Sequence, residues 1–144
     1  SPGGITTFYS PNNIPAPNGT IVSFQFSGFP GNHTVTQSTF ASPCEPAAGG
    51  FDSGWVFVNS SQKTPPTWNL TITNDRAPIW FFCKQLKGPN NKTHCNLEMT
   101  GVINVQAANK SFASFQAAAS VASTVGVSTQ RTIINLCDEL IRCL

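Results

Sequence analysis

Four side chains that bind soft metal ions follow one another along this chain. His33 stands early, Cys83 ends an apolar run, His94 follows after ten intervening residues, and Met99 follows after four more. They include both histidines and the only methionine of the chain. A thiolate stabilises Cu(I), imidazole suits both oxidation states of copper, and a thioether serves as a weak axial ligand. The sequence therefore predicts one copper site built from these four side chains and competent for one-electron chemistry.

The elements around these residues predict how they meet. The cysteine is expected at the end of a strand over 79–83, and the loop after it turns back to present the other two late ligands. A distant strand over 33–37 contributes the first histidine from the opposite side of the fold. Asn32 precedes that histidine and is predicted to orient the site through hydrogen bonds. In that case we expect the glycosylation acceptor at Asn32 to stay unused.

The remaining sequence predicts an all-β fold. The segment 20–26 alternates, with Val22, Phe24 and Phe26 on one face, which is the period of a half-buried strand. The segment 67–73 alternates in the same way, and eleven prolines and eleven glycines punctuate such runs. Further strands are expected at 5–9, 55–59, 79–83 and 99–105. At least six short strands without a helical crossover favour a Greek-key sandwich of two sheets.

The character of the sequence changes near residue 108. We therefore predict a β domain over 1–108 and an Ala/Ser-rich, helical extension over 109–144, with helical pieces near 109–119 and 132–144. Cys137 and Cys143 lie in the second piece, six residues apart. They can bridge each other only if that helix ends first. The alternative is a link to another chain, which would give a dimer through the tail.

Composition excludes several classes of function. The net charge of +2 comes from scattered residues, so no basic stripe can follow a nucleic acid backbone. No apolar stretch approaches the roughly 20 residues of a transmembrane helix. Two histidines are too few for a multicopper oxidase, and no Ser/His/Asp triad or catalytic carboxylate pair can be assembled. We expect a protein that is not an enzyme.

Glycosylation acceptors and cysteines indicate a secreted glycoprotein. Asn-x-Ser/Thr acceptors occur at Asn18, Asn32, Asn59, Asn69, Asn91 and Asn109. Five cysteines is an odd number for a secreted chain, and a cysteine that binds metal accounts for the odd one. The sequence therefore predicts an extracellular protein, with attachment to a cell wall as a narrower hypothesis.

Several motifs occur in the order found in one family. They are Phe-Tyr-Ser-Pro-Asn at 8–12, Asn-His-Thr-Val-Thr-Gln-Ser at 32–38, Gly-Phe-Asp-Ser-Gly at 50–54, Trp-Phe-Phe-Cys-Lys-Gln at 80–85, and His-Cys followed by Met at 94, 95 and 99. Residues 1 to about 108 resemble the small secreted cupredoxins of fungi that are called extracellular serine-rich proteins. They are also similar to plant phytocyanins. The loop 84–93 is longer than its counterpart in phytocyanins, and residues 111–144 have no counterpart in the small cupredoxin domain.

The resemblance implies a cupredoxin fold, a type 1 (blue) copper site and outer-sphere transfer of one electron. It implies Cys83 as the copper ligand and a disulfide between Cys44 and Cys95. His94 is expected at the edge where electrons enter, supplied by a redox partner protein or a small-molecule reductant that the sequence does not name. Extracellular copper capture or delivery is an alternative. A structural glycoprotein of the cell wall or host interface, with little dependence on metal, is another.

Overall fold

The computed structural model describes residues 9–27, 30–106 and 109–123. In this part of the chain it contains β1 (Asn13–Ile14), β2 (Ile21–Gln25), β3 (Gly31–His33), β4 (Thr36–Ser38), β5 (Val56–Val58), β6 (Thr67–Thr71), β7 (Ile79–Phe82), a 3-10 turn (Pro89–Asn91), β8 (Thr100–Ile103) and α1 (Phe112–Val121). None of the helices described here is long and apolar enough to cross a membrane. The predicted helix 132–144 with its two cysteines, and most of the predicted strand 5–9, lie outside the described residues.

The strands form one larger sheet and two strand pairs. The four-stranded sheet has the order β1-β8-β7-β4, in which β1 runs parallel to β8 and the other neighbours are antiparallel. The pairs β2–β6 and β3–β5 are both antiparallel. The chain is therefore mostly β, as predicted from its short alternating runs.

Alternation in β2 and β6 builds much of the core, as the sequence predicts. Along β2, exposed residues alternate with half-buried ones, and Phe26 just beyond the strand is buried. Phe24 faces Trp68 of β6 with ring centroids 5.8 Å apart. The largest core cluster contains Ala16, Phe26, Val35, Val58, Ile72, Phe81 and Ile103. Burial of this apolar surface is the main force that holds these strands together.

The centre of the larger sheet depends on a close approach between Phe81 and Gly101. These residues are cross-strand partners in β7 and β8. A Cβ atom built on Gly101 would lie 2.2 Å from the ring of Phe81, so only glycine leaves room for this ring. Tyr9 packs edge-on against the same ring at 4.9 Å between centroids. The apolar run 80–82 is buried, as predicted.

Helix α1 begins at the N-cap Ser111, whose side chain accepts a hydrogen bond from the backbone of Ser114. It confirms the helix predicted near 109–119. Phe115 is fully buried and packs against Trp80 at 4.6 Å between ring centroids. The side-chain amide of Asn96 donates hydrogen bonds to two carbonyls at the end of this helix. The domain boundary predicted after residue 108 stays a prediction. Helix α1 nevertheless packs on the larger sheet, because Phe115 lies in one buried cluster with Trp80 and Val102.

One local prediction was wrong. The single strand expected over 33–37 is broken: β3 ends at His33 and pairs with β5, whereas β4 begins at Thr36 and pairs with β7. The break arises because the chain leaves one sheet and joins another at residues 34 and 35. The short strand β1 at Asn13–Ile14 was not predicted, because it depends on β8 as a partner that lies far away in the sequence.

Candidate metal centre

The structure brings together three of the four predicted ligands. His33, Cys83 and His94 each offer a ligand atom, and these atoms lie within 4.8 Å of one another. The Sγ of Cys83 lies 3.5 Å from the Nδ1 of His94, and the two imidazole ring centroids are 5.0 Å apart. All three residues are buried, with each histidine 5% exposed. These residues are far apart in sequence, so their convergence is a property of the fold.

Two of the three residues stand at or just after the end of a strand. His33 is the last residue of β3 and pairs with Val56, whereas Cys83 directly follows β7 of the larger sheet. His94 directly follows the ten-residue loop that begins after Cys83. The site therefore lies where the chain changes from the β3–β5 pair to the larger sheet.

Met99 adjoins this group through its backbone. Its N–H donates to the carbonyl of His94 at 2.9 Å, and its own carbonyl accepts from the N–H of Cys83 at 3.0 Å. Its side chain is buried, at 7% exposed. Met99 thus connects Cys83 and His94 through its backbone, and the role of its sulfur as an axial ligand stays a prediction.

Thr34, which the sequence analysis missed, holds the sulfur of Cys83. Its backbone N–H donates to Sγ at 3.4 Å, and its Oγ1 accepts from the backbone N–H of Lys84 at 3.0 Å. The hydroxyl of Tyr9 donates to the carbonyl of Thr34 at 2.6 Å. The position of Thr34 directly after His33 was the only signal in the sequence for its contact with the sulfur of Cys83. Asn32 is exposed, and its predicted part in orienting the site stays a prediction.

Burial decides the protonation states of the metal-free site. Burial raises the pKa of the Cys83 thiol to about 11, although hydrogen bonds from the backbones of Gln85 and Thr34 and the charge of Lys84 favour the thiolate. Burial, followed by the charge of His33, lowers the pKa of His94 to about 4. At neutral pH the metal-free site therefore holds a thiol and a neutral imidazole at His94. One thiol and two imidazoles form a donor set that suits copper, and imidazole and thiolate also suit zinc.

The ten-residue loop between Cys83 and His94 is closed by its own backbone. The N–H of His94 donates to the carbonyl of Gln85 at 2.9 Å, and the N–H of Gly88 donates to that of Lys92 at 2.8 Å. A Cβ atom on Gly88 would lie 2.8 Å from the Lys92 carbonyl and 3.2 Å from the imidazole of His94. The loop is thus folded against the imidazole of His94 rather than opened away from it.

A charged pair lies beside the site. Lys84 forms an ion pair with Asp52, and its ammonium also lies 5.3 Å from the ring centre of Trp55. The lysine side chain is only 13% exposed, so this pair is partly shielded from water. The ring of Trp55 is itself 48% exposed.

The disulfide predicted from the family resemblance is present. Cys44 is joined to Cys95, the residue directly after His94. Phe82 and Ala119 pack in the same buried cluster. Among the residues described, Cys83 is the cysteine outside a disulfide. The thiol of Cys83 is therefore free to bind a metal, and the disulfide fixes the chain beside His94.

This chain is similar in sequence to a fungal extracellular protein. An extracellular serine-rich protein of the fungus Arthroderma benhamiae is 29% identical over 122 residues. The aligned region covers 85% of this chain and 44% of the relative, so the chain spans less than half of that protein's length. No family model matches the chain. The name of this relative describes no enzymatic activity.

Proposed function

We propose that this chain is a secreted type 1 copper protein that carries single electrons. The observation that carries the proposal is the buried group of one thiol and two imidazoles, with ligand atoms within 4.8 Å of one another. A soft thiolate and imidazoles are the ligands that serve both oxidation states of copper. The proposed metal ligands are His33, Cys83 and His94, with Met99 as the axial ligand. Bound copper would supply the one-electron redox chemistry.

The residues of the chain would hold this geometry and exclude water. The N–H of Thr34 would hold the thiolate of Cys83, and the disulfide and the backbone of Met99 would fix the segment that carries His94. Ligands held in one arrangement need little rearrangement between oxidation states, which favours fast outer-sphere transfer. The two histidines are equally exposed at 5%, so exposure does not favour His94 over His33 as the point of electron entry.

We further propose that the β fold is a Greek-key sandwich of the cupredoxin type. The supporting features are the mixed four-stranded sheet, the two antiparallel pairs and a ligand cysteine directly after a strand. Secretion is supported by the disulfide and by the name of the fungal relative, which describes an extracellular protein. The proposed electron donor is a redox protein or a small-molecule reductant. Attachment to a cell wall and a dimer through the C-terminal tail are two further proposals.

Copper capture or delivery would use the same residues. The 5% exposure of both histidines favours retention of the ion over rapid exchange. A cell-wall or host-interface glycoprotein with little metal dependence is the other candidate, and the exposed position of all six glycosylation acceptors favours it.

Repeated redox cycling separates these functions. The copper-loaded protein is reduced with ascorbate, reoxidised with ferricyanide and dialysed over several cycles, and the copper content is measured after each cycle. Electron carriage predicts constant copper content and full recovery of the oxidised spectrum. Loss of copper to a chelator in the reduced state would instead indicate delivery, and protein that never loads copper would indicate the structural role.

A further inference from the structure

An exposed aromatic side chain stands on the outer face of the β3–β5 pair. Phe57, in the middle of β5, is 62% exposed, whereas Val58 beside it is buried. Trp55, two residues before Phe57, is 48% exposed. A ring this exposed leaves apolar surface in contact with water, so a group that covers it would be stabilising.

A glycosylation acceptor lies directly opposite Phe57. Asn32 and Phe57 are cross-strand partners in β3 and β5, so their side chains share one face of the pair with Cβ atoms about 5 Å apart. Asn32 begins the acceptor sequence Asn-His-Thr. Asn32 is exposed, whereas its neighbour His33 is buried on the other face. A modification of Asn32 therefore requires no movement of the metal ligand.

We propose that Asn32 carries an N-linked glycan and that its first N-acetylglucosamine packs on the ring of Phe57. In this modification Nδ2 of Asn32 loses one proton and bonds to C1 of the sugar, while the bond from C1 to the pyrophosphate of a lipid-linked donor breaks. One face of a pyranose carries C–H groups, which pack on an aromatic ring and shield it from water. The group that covers this apolar face is thus a glycan of the chain itself. It is attached to Asn32, which lies directly opposite Phe57 on the neighbouring strand.

This proposal changes the role given to Asn32 by the sequence. Asn32 was predicted to orient the site with its acceptor unused, but the hydrogen bond to the sulfur of Cys83 comes from Thr34. The outward side chain of Asn32 is available for modification. The inference depends on the exposed β3–β5 face and not on metal binding.

Another acceptor provides a matched control. Asn69 also lies on a strand, β6, and is exposed, but its cross-strand partner is the small residue Ser23. A glycan at Asn69 therefore has no aromatic ring directly opposite. A stabilising contact between glycan and protein should appear at Asn32 and be absent at Asn69.

The test combines mass spectrometry with two double-mutant cycles. The full chain is secreted from yeast, and peptide mass spectrometry measures the occupancy of Asn32 and Asn69. Melting temperatures are then measured for Asn32→Gln, Phe57→Ala and the double variant, and for Asn69→Gln, Ser23→Ala and their double variant. The same proteins are prepared without glycans in the bacterial periplasm, which permits the disulfide. Phe57→Thr replaces Phe57→Ala if the alanine variant does not fold.

The proposal predicts that Asn32 is occupied and that its glycan stabilises the protein only when Phe57 is present. We expect a coupling of about 3 °C in melting temperature for the yeast Asn32/Phe57 cycle. No coupling is expected for that cycle in bacterial protein or for the Asn69/Ser23 cycle. Trimming the yeast glycan to its first sugar with endoglycosidase H should leave the coupling intact. An unmodified Asn32, or equal coupling with and without glycans, would overturn the proposal.

Discussion

The backbone N–H of Thr34 donates a hydrogen bond to the Sγ of Cys83 across 3.4 Å. Thr34 directly follows β3 and Cys83 directly follows β7, so this bond joins the strand pair to the larger sheet at the candidate site. The side chain of Thr34 adds a second link, since its Oγ1 accepts from the N–H of Lys84. The site and the junction between the sheets are therefore built by the same residues.

We predict that Thr34→Val destabilises the metal-free protein by about 2 kcal/mol, because the backbone N–H of Lys84 loses its acceptor. Thr36→Val is the matched control. Thr36 is equally buried, but its hydroxyl bonds only to that of Thr34 among the contacts seen, so its loss should cost about 1 kcal/mol. Urea denaturation measures both. Equal losses would show that the bond to Lys84 adds nothing.

Gly101→Ala should strongly destabilise the protein, because its Cβ would lie 2.2 Å from the ring of Phe81. Overpacking of this kind costs about 1–3 kcal/mol or more. Phe81→Leu opens space at the same place, so the double variant should lose less stability than the sum of the two single variants. Thermal and urea denaturation provide the measurements. Additive losses would contradict the close approach of ring and glycine.

Gly88→Ala is expected to weaken metal binding, because the added methyl group meets the Lys92 carbonyl and the imidazole of His94. Displacing a residue that supports a ligand typically lowers metal affinity about 10- to 100-fold. Lys87→Ala changes an exposed side chain in the same loop and serves as the control. Competition with a chelator of known affinity measures both variants. Unchanged affinity in Gly88→Ala would show that the loop does not position His94.

Removal of the disulfide should cost stability without removing the proposed metal ligands. Cys44 and Cys95 are separated by 51 positions, and a closed loop of this size restricts the unfolded chain by about 4 kcal/mol. The double variant Cys44→Ala/Cys95→Ala is therefore expected to unfold at clearly lower urea concentration. Metal analysis should still find copper in the folded fraction. Unchanged stability would contradict this contribution.

Acid should destabilise the metal-free protein through His94. Its pKa is about 4 in the folded chain and near the ordinary 6.5 when unfolded, so the unfolded state binds the proton first. The stabilising contribution is complete above pH 6.5 and falls as the pH drops from 6.5 to 4. The variant His94→Gln cannot bind a proton at this position, so its stability should change less between pH 6.5 and 5 than that of the unchanged protein. Urea denaturation at several pH values tests this, and parallel curves would contradict it.

Local patterns in the sequence predicted much of this fold but not its long-range contacts. The alternation around Phe24 and Trp68 revealed two strands, because burial on one face leaves a period of two. The residue types indicated that His33, Cys83 and His94 form one group, because few side chains bind soft metals, and the structure brings these three together. The break at Thr34 could not be predicted, since it depends on pairing with two different strands. The hydrogen bonds of Thr34 likewise join residues about 50 positions apart.

The central claim is that Cys83 binds copper together with two histidines. Its most direct test adds Cu(II) to the purified protein and to Cys83→Ser, and records visible absorption together with copper content after desalting. The proposal predicts about one copper per chain and an intense thiolate-to-copper band that is present in the unchanged protein and absent in Cys83→Ser. A colourless protein, or a band that survives in Cys83→Ser, would contradict it.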